Sequence, residues 1–327
     1  MIRTIFAVLA IMTSVSGFAS AQSPTRVMSG YAATSGPHAV LWIARDAGLF
    51  EKNGLRTDVA YIRSGSTMAQ TLVSGDIQMS QMGGPALLAA GVAGMDVTFV
   101  AVALNTTPIV LMGTVSKVEE LKGKAVGVTR YGSNTDISAR FAIRKAGLQP
   151  EKDVALVQLE DYPGIMGGIA SGRIAAGALA DPFTDAAKKL GYKEVADVAA
   201  MGLEFPFVGI AAKKSFIKDN VDTVQRFVRA YTEAIAIYKN NRDVAMKITS
   251  KYTGIKDQAI LASTVDFYAP KLQRVPLATV GGLRFVLDQV AVRDPRAKNY
   301  TPETFMEMRF VNQLEDSGFI KSLYPKG

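Results

Sequence analysis

The chain has 327 residues, 48% of them apolar and 20% charged, a balance that suits a folded protein with a sizeable core and room for two domains. It contains no cysteine and one histidine, His38, which excludes disulfides, thiolate or multi-histidine metal sites, iron–sulfur clusters and a lipidated cysteine anchor. The formal net charge of +8 is spread along the chain without a run of five basic residues, so it does not point to a nucleic-acid partner, and with no P-loop, H-E-x-x-H or G-x-S-x-G motif no metal, cofactor or catalytic residue is expected.

The chain begins with Arg3, a short apolar run from Ile5 to Met12, and Ala19-Ser20-Ala21. A positive start, a brief hydrophobic stretch and an A-x-A site predict a cleaved export signal over residues 1–21. The run is too short to span a membrane, and no later stretch reaches the ~18 apolar residues that spanning needs. A mature chain from Gln22, free in a periplasm, is expected.

An internal repeat follows. Val27-Met28-Ser29-Gly30-Tyr31 and Ala47-Gly48-Leu49 recur 99 residues later as Val126-Gly127-Val128-Thr129-Arg130 and Ala146-Gly147-Leu148. Each copy reads as a strand, a polar loop and a helix ending at glycine. Second strands are expected at Thr57–Ile62 and Val154–Leu159. Leu72-Val73-Ser74-Gly75-Asp76-Ile77 returns at an offset of 97 as Ile169-Ala170-Ser171-Gly172-Arg173-Ile174, with Pro85 and Pro182 at matching helix starts. Two copies of alternating strands and helices predict two α/β lobes, each with a mostly parallel sheet. Ligands in such sheets bind beyond the carboxyl ends of the strands, so two facing lobes would share one cleft.

Phe205-Pro206-Phe207-Val208-Gly209-Ile210 reads as an extended return to the first lobe. From Asn220, Val221, Val224, Phe227, Val228, Tyr231, Ile235 and Tyr238 keep helical spacing. Further helices are expected at Arg242–Tyr252, Lys256–Tyr268, Val280–Val290 and Pro302–Leu314. The expected division is 22–112 plus 208–327 for the first lobe and 113–207 for the second, with rotation about strands near Met112–Gly113 and Pro206–Gly209.

The loops expected at the cleft are Ser35–His38, Arg63–Thr67, Met82–Pro85 and Asn105–Thr107 from the first lobe. The second contributes Arg130–Asp136, Asp161–Gly164 and Ala180–Phe183. Small hydroxyl and glycine residues before helices leave free N–H groups that suit an anionic group. Ser66, Ser133 and Asp181 also have the chemistry of plain N-caps. Arg63 and Arg130 could each fork a carboxylate, sulfonate or phosphate. Arg130 with the helix start at Gly132–Thr135 is the expected anion holder, and Asp136 is its rival partner. His38, Tyr162 and Phe207 are candidate cleft walls; Trp42, Leu49 and Phe50 read as core.

Leu41-Trp42-Ile43-Ala44-Arg45-Asp46-Ala47-Gly48-Leu49-Phe50-Glu51-Lys52-Asn53-Gly54-Leu55 resembles the "LWVAKEAGLFEKNGL" signature of nitrate/sulfonate/taurine-type substrate-binding proteins of ABC importers. Leu72–Asp76, Leu121–Val128, Arg130–Asp136 and Ser171–Ile174 extend the likeness over nearly the whole mature chain. The resemblance implies the type II periplasmic binding fold, a small-molecule ligand captured without chemistry, and delivery by a monomer to a permease in the inner membrane. The family's cleft loops fall here on Ser35, Gly36 and His38, on Ser66 and Thr67, on Gly83 and Gly84, on Gly132, Ser133, Asn134 and Thr135, and on Asp181. The related thiamine-pyrimidine precursor synthases offer an enzymatic alternative, since His38 matches their Asn-x-x-His histidine. Ser35 stands at the asparagine position, however, and their Cys-rich stretch has no counterpart in a chain without cysteine. A sensor subunit with the same binding fold is a further alternative.

Overall fold

The structure, a computed structural model, describes residues 24–202 and 204–324; the expected export signal lies outside the described residues. Ten strands are described, at Thr25–Tyr31 (β1), Leu55–Tyr61 (β2), Met79–Met82 (β3), Val97–Thr106 (β4), Val110–Gly113 (β5), Ala125–Val128 (β6), Ala155–Gln158 (β7), Ala176–Leu179 (β8), Lys193–Asp197 (β9) and Glu204–Lys213 (β10). They form two five-stranded sheets, ordered β2-β1-β3-β10-β4 and β7-β6-β8-β5-β9. In the first, β1 runs parallel to β2 and β3, and β10 is antiparallel to β3 and β4. In the second, β6 runs parallel to β7 and β8, and β5 is antiparallel to β8 and β9.

The repeat thus maps strand for strand: β1, β2 and β3 onto β6, β7 and β8. The fourth position of each sheet is filled by the strand that arrives from the other lobe. Gly75 and Gly172, equivalent in the repeat, both adopt the left-handed conformation (φ 89° and 72°) that ends a helix before a buried strand. Chain crossings fall between residues 106 and 110 and between 197 and 204. β5 therefore lies wholly in the second sheet and β10 in the first, a few residues from the expected boundaries at 112 and 208.

The long helix Val221–Asn240 buries Val224, Phe227, Val228, Tyr231, Ile235 and Tyr238, whereas Val221 at its first turn is exposed. Trp42 is fully buried and stacks on Tyr252 at 4.6 Å, and Leu49 and Phe50 are also core. The helix expected over Pro302–Leu314 is broken. A 3-10 turn spans Pro302–Phe305 and an α-helix starts only at Arg309. Between them Met306 bridges Phe99 of β4, and the Glu307 N–H donates to the Phe99 carbonyl at 2.8 Å, so the sheet edge captures the backbone. No described helix is long and apolar enough to cross a membrane.

Candidate functional site

The carboxyl ends of β1, β2 and β3 face those of β6, β7 and β8, and the loops leaving them meet. Their contacts follow the repeat. The Asn134 side-chain amide donates to the Phe207 carbonyl at 2.9 Å and lies over Gly83. A Cβ on Gly83 would come within 2.0 Å of Asn134 Oδ1. On the other side the Gly36 N–H donates to the Asp181 carbonyl at 2.9 Å. An offset of 99 carries Ser35-Gly36 onto Asn134-Thr135, and an offset of 97 carries Gly83-Gly84 onto Ala180-Asp181. One loop-to-loop contact is therefore made twice, in reverse. Between the two, Arg63 reaches Glu160 at 3.0 Å and Asp161 at 3.2 Å. Arg63 and Glu160 lie 97 residues apart, so each is the other's counterpart in the repeat.

These contacts enclose a cavity of about 30 Å³, room for one or two waters. The first lobe lines it with Ala32, Ala33, His38, Ser64, Gly65 and Gly83, joined by Phe207 of β10. The second lobe adds Thr129, Ser133, Asn134, Thr135 and Tyr162. Among the described residues no carboxylate, lysine or arginine lines it. Burial pushes the His38 imidazole down to about 3, so the ring is neutral at physiological pH. Its Nδ1 is 2.9 Å from Ser35 Oγ, which leaves Nε2 as the ring's other hydrogen-bonding atom.

Helix starts supply the polarity. Gly65–Ser74, Gly84–Val92 and Asn134–Lys145 begin at the cavity wall, with Ser64, Gly83 and Ser133 at their N-cap positions. The positive ends of their dipoles converge on one space. The second lobe's hydroxyls are mutually satisfied: Thr129 donates to Ser133 at 2.9 Å, and Ser133 Oγ lies 2.8 Å from Thr135 Oγ1. Ser64 differs. It is 2% exposed, its Oγ has no partner, and its φ of 74° is left-handed. A strained residue with an unmet hydroxyl in a cavity wall is a candidate binding position.

Of the residues expected from sequence, His38, Gly83, Ser133, Asn134, Thr135, Tyr162 and Phe207 line the cavity. Ser35 stands behind His38, and Gly36 is committed to Asp181. Ser66 and Gly132 line an outer groove instead, where Ser66 Oγ donates to the Tyr131 carbonyl at 2.7 Å. Thr67 does not line the cavity, its backbone carbonyl taking the Thr71 hydroxyl, and Gly84 packs against Pro206. Asp181 sits behind the wall, its carboxyl pushed up to about 6 by burial and by Asp185. Arg130 does not enter the cavity. β6 stops at Val128, Thr129 turns into the hydroxyl cluster, and the chain reverses through Gly132, which leaves Arg130 on the lip, 3.5 Å from Glu160. Asp136 pairs with Arg140 at 2.7 Å, not with Arg130. Ala32, Ala33 and Thr129 lie outside the loops expected at the cleft; Ser64 and Gly65 lie inside the expected Arg63–Thr67 loop, although neither was among its expected ligand contacts. Ser64 is flagged only by its backbone, which composition does not reveal. Among the described residues no group of three or more His, Asp or Glu could hold a metal ion.

A family model described as the NMT1-like family matches residues 20–250. The Bacillus subtilis protein YtlA, whose name calls it a binding protein on provisional grounds, is 25% identical over 242 residues, covering 71% of this chain and 72% of that protein. The Escherichia coli taurine-binding periplasmic protein is 28% identical over 202 residues, 60% of this chain and 62% of that one. Among solved structures, the Escherichia coli periplasmic aliphatic sulphonate binding protein SsuA superposes with a TM-score of 0.71 at 20% identity, covering 89% of this chain and 100% of that chain. That likeness establishes the periplasmic binding fold.

Proposed function

The chain belongs to the NMT1-like family, and from that premise we propose that this solute-binding protein works in a periplasm, capturing a small anionic organic ligand between its lobes and passing it to an ABC permease. The observation that carries the anionic assignment is the convergence of three helix N-termini on a cavity whose described lining includes no acidic side chain. Neutral donors and helix dipoles hold an oxyanion without a buried counter-charge. The ligand head takes up the unmet Ser64 hydroxyl from the first lobe and meets the Asn134 and Thr135 helix start from the second. Contacts to both lobes are what shift the equilibrium toward closure. Arg130 has no part in this reading; its guanidinium is at the lip with Glu160.

Capture proceeds without turnover. Burial holds the one histidine neutral at physiological pH, so it adds no charge to the cavity. The test is a thermal-shift screen over alkyl and aryl sulfonates, small carboxylates, nitrate and pyrimidine precursors, followed by calorimetry on the hits. A ligand that binds only the folded state raises apparent stability, by ~2.7 kcal/mol at a hundred times Kd. An anionic hit recovered chemically unchanged after incubation supports the reading. Tight binding of a cationic ligand, or product beyond one equivalent, overturns it.

A further inference from the structure

The helix Asn134–Lys145 leaves the cavity wall and lies against the helix Val280–Ala291. The latter packs on β10 and on the helix Gly84–Val92, so it moves with the first lobe. Their contact starts at the chain crossings. Ser138 Oγ lies 3.3 Å from Thr107 Oγ1 in the first crossing, and Phe285 stacks on Phe205, just past the second, with ring centroids 6.2 Å apart. From there it runs outward. Phe285 meets Phe141 at 6.1 Å, the Arg144 guanidinium donates to Gln289 Oε1 at 3.1 Å, and Arg293 reaches Glu151 and Asp136. Phe285, Gln289 and Arg293 follow one another at about one turn's spacing, so the Arg293 contact is at the outer end, where rotation about the crossings gives the larger displacement.

Arg293 meets a pair of acids that share one cation in their own lobe. Arg140 Nε donates to the fully buried Asp136 Oδ1 at 2.7 Å, and Arg140 Nη2 donates to Glu151 Oε1 at 2.8 Å. Among the described residues no other second-lobe cation is paired with either carboxylate. The first lobe brings the second cation. Arg293 Nη2 is 3.1 Å from the same Glu151 oxygen, and Nη1 is 3.9 Å from Asp136 Oδ2. That Oδ2 also accepts the Gly132 N–H at 2.9 Å, and Gly132, with φ 78°, turns the chain into Ser133, Asn134 and Thr135 of the cavity wall. A charge from the first lobe thus ends beside the carboxylate that fixes the second lobe's helix start.

We propose that Arg293 is a positioning residue for ligand capture: docked between Glu151 and Asp136, it latches the lobes together and steadies the Gly132–Thr135 turn as they close. This rests on the reading of capture by lobe closure and not on the charge of the ligand. Arg293 does not line the cavity, so it acts on the closed population and therefore on ligand dissociation more than on association.

The chain has no cysteine, so Asp76→Cys and Arg173→Cys, exposed counterparts in the two halves of the repeat, carry a single spin-label pair that reads lobe separation. Distances are recorded with and without ethanesulfonate, and calorimetry gives its affinity, in this parent and with Arg293→Glu, Arg293→Lys or Arg296→Glu added. Arg296→Glu is the control: its arginine pairs with neighbouring Asp294, so it makes the same charge change outside the latch. Arg293→Glu sets a third carboxylate beside two. It should shift the distances toward the open separation and weaken binding roughly tenfold or more, mostly through faster dissociation. Arg293→Lys keeps the charge without the fork and should stay within about fivefold of the parent. Arg296→Glu should match the parent. Melting temperatures within a few degrees of the parent separate the latch from a structural role. An unchanged distance distribution in Arg293→Glu overturns the latch whatever the affinity does, and so does an equal shift in Arg296→Glu. If ethanesulfonate does not bind, the anionic reading suffers and the ligand-free distances decide on the latch. A parent with one open separation under both conditions has no closed form to hold, which overturns it too.

Discussion

Gly83→Ala separates closing from folding. Gly83 has φ −95° and ψ 164°, an extended conformation open to any residue, so alanine costs nothing in the first lobe by itself. In the closed form its Cβ would lie 2.0 Å from Asn134 Oδ1 and 2.4 Å from Nδ2, a contact no packing tolerates. Asn134 must swing away and give up its 2.9 Å bond to the Phe207 carbonyl. The bond itself is worth about 0.5–1.5 kcal/mol net, and leaving a buried carbonyl unpaired costs about 1–3 kcal/mol. Closure should weaken by ~1–3 kcal/mol, and ligand affinity should fall roughly five- to 150-fold. The ligand-free melting temperature should change by no more than a few degrees. Calorimetry with a ligand from the screen measures the loss. Small-angle scattering should show a more open ligand-free ensemble. The coupling is tested with Asn134→Ala, which already lacks the amide: adding Gly83→Ala to that background should cost little more. Full affinity in Gly83→Ala, or the same loss with and without Asn134, refutes the reasoning.

Arg130→Ala should change affinity for an anionic ligand by less than about threefold, as expected for an exposed pair worth ~0–1 kcal/mol. A tenfold loss in calorimetry would return the arginine to the site. Arg140→Ala should be far more damaging, because it leaves the fully buried Asp136 carboxylate with only the Gly132 N–H at 2.9 Å and the Arg293 guanidinium at 3.9 Å. A cost of about 3–5 kcal/mol, read as a melting-temperature drop on the order of 10 °C, is expected. His38 is held near 3 when folded and titrates near 6.5 when unfolded, so the unfolded chain binds the extra proton between those values. Its contribution to stability should be intact above pH 6.5 and decline as pH falls toward 3. Comparing pH-dependent melting of the wild type with His38→Asn isolates this limb, and identical slopes would disprove it.

The two offsets of the repeat are written in the residue order itself, because Gly75 and Gly172 end helices and Val27 and Val126 enter buried strands for the same reasons in each half. That was enough to place β1–β3 over β6–β8 and to bring the loops that line the cavity to one cleft. What escaped was direction. Whether Arg130 points inward depends on where β6 stops, and one or two residues of strand reverse the answer. Ser64 fell within the expected Arg63–Thr67 loop, but its left-handed backbone escaped because it has no signature in composition; only the fold forces it there. The break before Arg309 is likewise a tertiary event, made by the Phe99 backbone of β4 and invisible to a helical period that continues through Met306.

The pairing of Arg63 with Glu160 has a consequence for symmetry. A two-fold axis relating two identical halves brings any residue on it against its own copy, so a charged side chain there would face its like. This chain carries its near-symmetry within one polypeptide and places a cation on one half and an anion on the other at that spot. It also trades strands, β5 and β10, between the halves, as an exchanged dimer would. Two unlinked copies of either half would close with arginine against arginine, or glutamate against glutamate. Joined in one chain, the halves are free to differ where they meet, and that difference turns the axis from a point of repulsion into one of attraction.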